Sequence, residues 1–209
     1  MSRRTSMTCA TLLLTFSAMS RVRPYQKVAQ SPEPRTFKSP DESFQFTYPS
    51  SYALYTGSEA ESAGRRLSYL TVCEAAVACV VYPENKYQGT NFEAASFQIL
   101  EFGDAASIKT CLTSPLGNEG DFVVDSKKPK RIINGVPFLH GVGGEGGLGH
   151  SMSADIYRAV HNGRCYELSV NVAVSSFANF NPGTIKEFED DPRVRAQLLT
   201  IADSFHFLK

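Results

Sequence analysis

Asn162-Gly163-Arg164-Cys165-Tyr166-Glu167-Leu168-Ser169-Val170-Asn171-Val172-Ala173-Val174 is the stretch on which the fold turns. Asn-Gly is the dipeptide of a type I′ hairpin turn, which needs positive φ at both central residues. After it, Tyr166, Leu168, Val170, Val172 and Val174 alternate with Cys165, Glu167, Ser169 and Asn171. That period of two predicts a strand over 164–175 whose second face is the less apolar one. Upstream of the turn, 150–160 supplies its antiparallel partner. A second Asn-Gly, at Asn134-Gly135, predicts another hairpin between Lys130–Ile133 and Val136–Gly141.

Working outward, Phe44, Phe46 and Tyr48 alternate with Gln45 and Thr47 until Pro49 stops the run. Strands are also expected around 67–72, 77–82 and 94–102. Thr56 to Arg66, polar with two glycines, reads as a loop. Asp104 is placed to cap a short helix carrying Ile108, Cys111 and Leu112. Near the end, Thr184 and Glu187 have capping-box spacing, and Asp191-Pro192 offers a second helix start. Val194, Leu198, Ile201 and Phe205 follow at helical spacing, before a short strand at Phe205-His206-Phe207. The expected fold class is α+β: a largely antiparallel sheet with helices packed on it.

The ends of this pattern resemble those of PsbP-like domains. Ser43 to Tyr52 is similar to the family's opening aromatic strand, and Ile201 to Leu208 to its closing helix-to-strand segment. The resemblance implies an α/β/α sandwich and a role in binding or assembling with other proteins. It implies no shared catalytic set.

Residues 1–20 read as a signal peptide: Arg3 and Arg4, an apolar core around Leu12, Leu13, Leu14 and Phe16, then Ala18-Met19-Ser20. The apolar core is too short to span a bilayer. The expected destination is the periplasm or the exterior. Residues 21–40, with Pro24, Pro32, Pro34 and Pro40, read as a proline-rich linker, leaving 41–209 as a single globular domain. Of 209 residues, 21 are Lys or Arg and 21 are Asp or Glu, which gives no basic excess for nucleic acid. An unidentified protein is the expected partner, with no membrane span in the mature chain.

Four cysteines follow the signal segment, as suits disulfides in an exported chain. Cys73 and Cys79 flank a short turn between two β-rich runs, Leu67–Val72 and Val77–Tyr82. Their spacing favours pairing across a hairpin, and Cys111 then pairs with Cys165 by elimination.

The segment from His140 to His150 is unusual, since six of the nine residues between the histidines are glycine. Gly141, Gly143 and Gly146 spell G-x-G-x-x-G, but another β-like run follows where a dinucleotide site needs a helix. If the glycines form a hairpin loop, His140 and His150 face each other with Glu145 at the tip, a candidate set for zinc or copper. The plainer reading is a surface loop, and no cofactor is expected. The basic run Lys127 to Arg131 reads as a solvated loop, and the acids Glu187, Glu189, Asp190 and Asp191 as carboxylates near a helix start, where they meet the helix dipole favourably. The leading reading is an exported, non-enzymatic binding or accessory domain. The alternative is a metal-binding protein or metal-dependent enzyme using His140, Glu145 and His150.

Overall fold

The computed structural model describes residues 33–68, 70, 72–113 and 122–208. The signal-peptide reading of 1–20, and the linker reading up to residue 32, lie outside these. In chain order the strands are β1 (Pro34–Lys38), β2 (Phe44–Pro49), β3 (Ala53–Thr56), β4 (Ala78–Val81), β5 (Phe92–Phe102), β6 (Val123–Val124), β7 (Lys130–Ile133), β8 (Val136–Gly147), β9 (His150–His161), β10 (Arg164–Ser175) and β11 (His206–Phe207). The helices are α1 (Ser58–Leu67), α2 (Ala105–Thr110) and α3 (Asp191–Ser204). Every strand pairing is antiparallel. One sheet runs β3-β4-β5-β10-β9-β8-β6, with β7 also on β8; the smaller runs β1-β2-β11.

Strand β10 lies mid-sheet, and both of its faces are buried. On the front, Tyr166, Leu168, Val170 and Val172 join Phe97 of β5. Phe44, Phe46 and Tyr48 of the small sheet and Val194, Leu198 and Ile201 of α3 pack over them. At ~25 cal/mol per Å², each such side chain stabilises by roughly 1.5–3 kcal/mol on burial. On the back, Ala60 of α1 packs with Val72, Cys73, Ala76, Cys79 and Val81. Cys111, just past α2, bonds to Cys165 of β10. Helices on the back, a sheet in the middle, and α3 with the small sheet in front make the α+β sandwich.

The back face of β10 is polar yet buried, and its polar groups bond to one another. Asn171 Nδ2 donates to Ser96 Oγ at 3.4 Å and Ser169 Oγ at 3.3 Å. Gln98 Oε1 accepts the Cys73 N–H at 2.9 Å. Arg158, with no exposed surface, meets Glu167 at 2.5 Å, and its guanidinium lies 4.0 Å from the Phe122 ring centroid.

Several expectations are corrected. Residues 58–67 form a helix, not a loop, and among the described residues of the expected strand around 67–72, which leave out 69 and 71, none is in a strand. Helix α1 buries only Ala60, Ala63 and Gly64, so it lacks the large apolar stripe that marks a helix in sequence. A Cβ on Gly64 would lie 1.8 Å from the Val72 carbonyl oxygen, so the following segment packs directly on helix backbone. Pro34–Lys38 belongs to the small sheet, so the expected linker over 21–40 extends too far. Proline misleads here because an edge strand accepts it at its first position. The capping-box spacing at Thr184 starts no helix, whereas α3 begins at Asp191-Pro192 as the second start predicts.

Both disulfides are present, with Cα–Cα distances of 5.5 Å for Cys73–Cys79 and 5.7 Å for Cys111–Cys165. The short bridge does not clip a hairpin as expected. It closes an irregular turn in which Cys73 and Ala75 take φ of 62° and 53°. Asp104 caps α2 as expected, its carboxylate accepting the Ser107 N–H at 2.9 Å. Among the described residues, no helix is long and apolar enough to cross a membrane.

Candidate functional site

The glycine-rich segment is strand rather than loop. Strand β8 runs through it to Gly147, and the hairpin turns at Leu148-Gly149. Register then decides the His140, Glu145 and His150 trio. His140 stands opposite Tyr157, Glu145 opposite Met152, and His150 opposite Gly147. The seven-residue offset separates the two histidines by roughly 23 Å at ~3.3 Å per residue. Alternation also puts them on opposite faces: His140 shares the Phe138 face under α3, and His150 the back face with Arg158. The trio does not converge on one ion.

Each histidine instead anchors a separate cluster. On the front, His140 Nδ1 lies 3.0 Å from the Lys128 carbonyl and 3.5 Å from Asp125 Oδ2, and Nε2 lies 3.2 Å from Asp155 Oδ1. Its ring stacks on Tyr157 at 4.8 Å. Asp155 also accepts from Arg195 of α3 at 3.0 Å, and Arg195 reaches Asp191 at 2.7 Å. Arg131 forks onto Asp203 at 2.8 and 2.6 Å and lies 5.7 Å from the Tyr157 ring centroid. The Lys127 N–H, donating at 2.8 Å, holds the Asp125 carboxyl below the usual carboxylate range. Burial pushes the Tyr157 phenol up to about 12. This cluster binds α3 to strands β8 and β9. The basic run contributes Arg131 to it, so that run is not wholly a solvated loop, and the acidic run contributes Asp191 from the first turn of α3.

The back cluster opens to solvent. Register pairs Ser175 with His150 across β10 and β9. On the other side of β10, Ala173 pairs with Ala94 and Val174 with Phe92, which leaves Glu93 as the extra residue of a β-bulge. Such a bulge re-aims a side chain. The Glu93 carboxylate meets His150 Nδ1 and the Ser175 hydroxyl in short contacts, and accepts from Ser68 Oγ at 2.9 Å. Ser175 Oγ lies 3.4 Å from the same His150 Nδ1. Serine and carboxylate thus share one ring nitrogen, unlike a nucleophile–base–orienter chain, where they meet opposite nitrogens.

Leu148, His150, Ser175, Asn179 and Phe180 line a shallow cavity of about 600 Å³ beside this cluster. Its wall is built. The Gly149 carbonyl accepts the Ser176 N–H at 2.7 Å and Asn179 Nδ2 at 3.0 Å, tying the 3₁₀ turn Phe177–Asn179 to the hairpin tip. Gly149 has a φ of 80°, which favours glycine, and a Cβ there would lie 2.5 Å from Asn179 Oδ1, so Asn179 would have to shift. Asn91 secures the base: its amide donates to the Ser175 carbonyl at 2.8 Å and its oxygen accepts the Phe188 N–H at 2.8 Å. Sequence reasoning finds His150 here but misses Glu93, Ser175, Asn179 and Phe180. The bulge that brings Glu93 in leaves no motif.

No family model matches the chain, and no curated protein does. Among solved structures, it is similar to LpqN, involved in cell envelope biogenesis of Mycobacterium tuberculosis. That match has 11% identity and TM-score 0.46, over 84% of this chain and 90% of that one. A Bacteroides thetaiotaomicron protein is similar at 13% identity and TM-score 0.42, over 84% of this chain; the match spans only 48% of that longer protein. Cyanobacterial PsbP from Synechocystis is similar at 9% identity and TM-score 0.39, over 89% and 98% of the two chains. The likeness is one of fold. Solved structures similar to this chain therefore include a PsbP, the family that its two ends resemble.

Proposed function

We propose that the protein is an exported binding domain that receives side chains of a partner protein in the cavity between Leu148, His150, Asn179 and Phe180. The cavity carries this reading. It is wide and open, and it mixes apolar walls with polar groups whose backbone and carboxylate supports are fixed. An open hollow of this kind suits a protruding side chain of another protein better than a small molecule enclosed on most sides. Export is supported by the signal-like residues 1–20 and by two disulfides, which persist in oxidising compartments.

The test compares the immobilised protein with its Leu148→Asp variant in extract from its native compartment. Leu148 is 90% exposed, so the variant should melt like the wild type while losing the retained partner. Identical sets of retained proteins on both would sink the reading.

A further inference from the structure

Strand β8 has partners along only part of its outer side, the side away from β9. There β7 pairs from Val136 to Leu139, His140 bonds to Pro129 and Asp125, and β6 pairs at Gly141 and Val142. Among the described residues, no strand pairs on that side from Gly143 to Gly147. Alternation says which groups this leaves. The His140 N–H donates to the Pro129 carbonyl, and the His140 carbonyl accepts the Asp125 N–H, so His140 turns its main chain away from β9. At a period of two, Gly144 and Gly146 turn theirs the same way, while Gly143, Glu145 and Gly147 face β9. Gly144 and Gly146 are both exposed. An outward N–H and C=O on each of them make an open strand edge.

The other edges among the described residues are guarded. Strand β1 opens on Pro34 and carries Arg35 and Lys38, and β7 follows Pro129 with Lys130. Strand β3 has 4 residues, and β6 and β11 have 2 each. Proline, cations and shortness all hinder pairing with a foreign strand. Gly143 to Gly147 has none of these: it extends a 12-residue strand in unbroken register and holds no proline, lysine or arginine. Its one charged residue, Glu145, has its main chain committed to β9 opposite Met152.

The chain itself shows what such an edge accepts. Where β6 is added beside β8, the ring of Phe122 lies on Gly141, 2.2 Å from where a Cβ would stand. An aromatic ring from the added strand thus fills the space that the glycine leaves. Further along, a Cβ at Gly147 would meet nothing within 4 Å, and one at Gly146 would meet the His150 carbonyl oxygen at 3.4 Å. That space is open to rings from a further strand. A second copy does not supply them: two β8 edges meeting about residue 145 set glycine against glycine and Glu145 against its own copy.

We propose that the outer edge of β8 from Gly143 to Gly147 takes an extended segment of a partner protein as an added antiparallel strand, bonded to the main chain of Gly144 and Gly146, with aromatic side chains of that segment covering the glycines. This edge lies on the side of β8 away from β10, whereas the cavity lies at the end of β10, so the proposal does not depend on the cavity.

Fluorescence anisotropy of a labelled peptide, alternating threonine and phenylalanine between terminal lysines, tests it on the purified protein. The peptide should bind, and Gly146→Pro should weaken binding about tenfold or more, because the outward N–H is gone and the ring blocks the edge. Proline there removes no bond to β9, and Glu145 before it is already extended, so the variant should melt close to the wild type. Gly146→Val keeps the N–H and should still bind. Should Gly146→Pro fail to fold, two peptides methylated on alternate sets of main-chain nitrogens decide: one should lose binding and the other keep it, and like behaviour of the two overturns the inference. A peptide that does not bind, or that binds wild type and Gly146→Pro alike, overturns it as well. Binding that survives Gly146→Pro and is lost in Leu148→Asp would overturn it in favour of the cavity. A wild-type dimer that Gly146→Pro dissolves would overturn it in favour of a second copy.

Discussion

Replace each disulfide in turn by a pair of alanines. Cys111–Cys165 spans 54 positions and Cys73–Cys79 spans 6. All four sulfurs belong to residues with no exposed surface, so both replacements leave a buried gap of similar size. What differs is the freedom returned to the unfolded chain. In the chain-entropy model the long bridge contributes about 4 kcal/mol and the short one about 2 kcal/mol. Cys111→Ala/Cys165→Ala should therefore destabilise by about 2 kcal/mol more than Cys73→Ala/Cys79→Ala, roughly 4–8 °C in Tm for a domain of this size. Urea unfolding of the oxidised proteins measures the difference. The m-value should rise more for the long bridge, because its removal lets the unfolded chain expand. Equal losses, or a larger loss from the short pair, would show that loop entropy does not set the difference. The fit of Cys73 against Val72, Ala76 and α1 would then outweigh loop entropy.

Four other outcomes follow. Gly64→Ala drives a methyl into the Val72 carbonyl and should cost about 2–4 kcal/mol, read by thermal melting, although alanine is the better helix former. Glu167→Ala should cost about 3–5 kcal/mol by removing a carboxylate that buried Arg158 meets, whereas a combined Glu167→Ala/Arg158→Met change should recover part of that in a double-mutant cycle. On the acid side, Asp41, Asp104 and Asp125 all have lowered carboxyls, held by Ser43, by Ser107 and by the Lys127 N–H respectively. Their stabilisation is full above the ordinary value of 3.8 and is lost as pH falls below it. On the alkaline side, burial raises Tyr52 and Tyr157 from 10.0 to about 12, so the folded state keeps protons that the unfolded state loses. Stability should fall as pH rises from 10 to 12, less steeply in Tyr157→Phe by pH-dependent urea unfolding.

The strongly periodic parts of this fold are legible because backbone constraint and burial act on the same residues. Asn162-Gly163 and Asn134-Gly135 announce their turns through positive φ, and the run from Tyr166 to Val172 announces a core face. Helix α1 is not legible, because it packs mainly through Ala60, Ala63 and Gly64 and leaves Glu59, Glu61, Arg65 and Arg66 in water. Strand β1 hides behind Pro34. The glycine-rich segment misleads in the other direction: glycine weakens a strand, yet pairing with β9 along its whole length holds β8 extended. The site is legible only in part. His150 stands out beside the glycines, but its partners come from a bulge in β5, the end of β10 and the turn after it. No local spacing links Glu93 to Ser175 or Asn179; only the register of three strands does.

Docking of a protein at the cavity beside His150 is tested by a photo-crosslinking side chain at position 180, activated in the native compartment. Phe180 lines the cavity, while Val160, exposed on the same β9 strand far from the hairpin tip, provides the control position. The account predicts a discrete protein adduct from position 180, absent from position 160 and lost when Leu148→Asp is added. No adduct from position 180, or the same adducts from both positions, would contradict it.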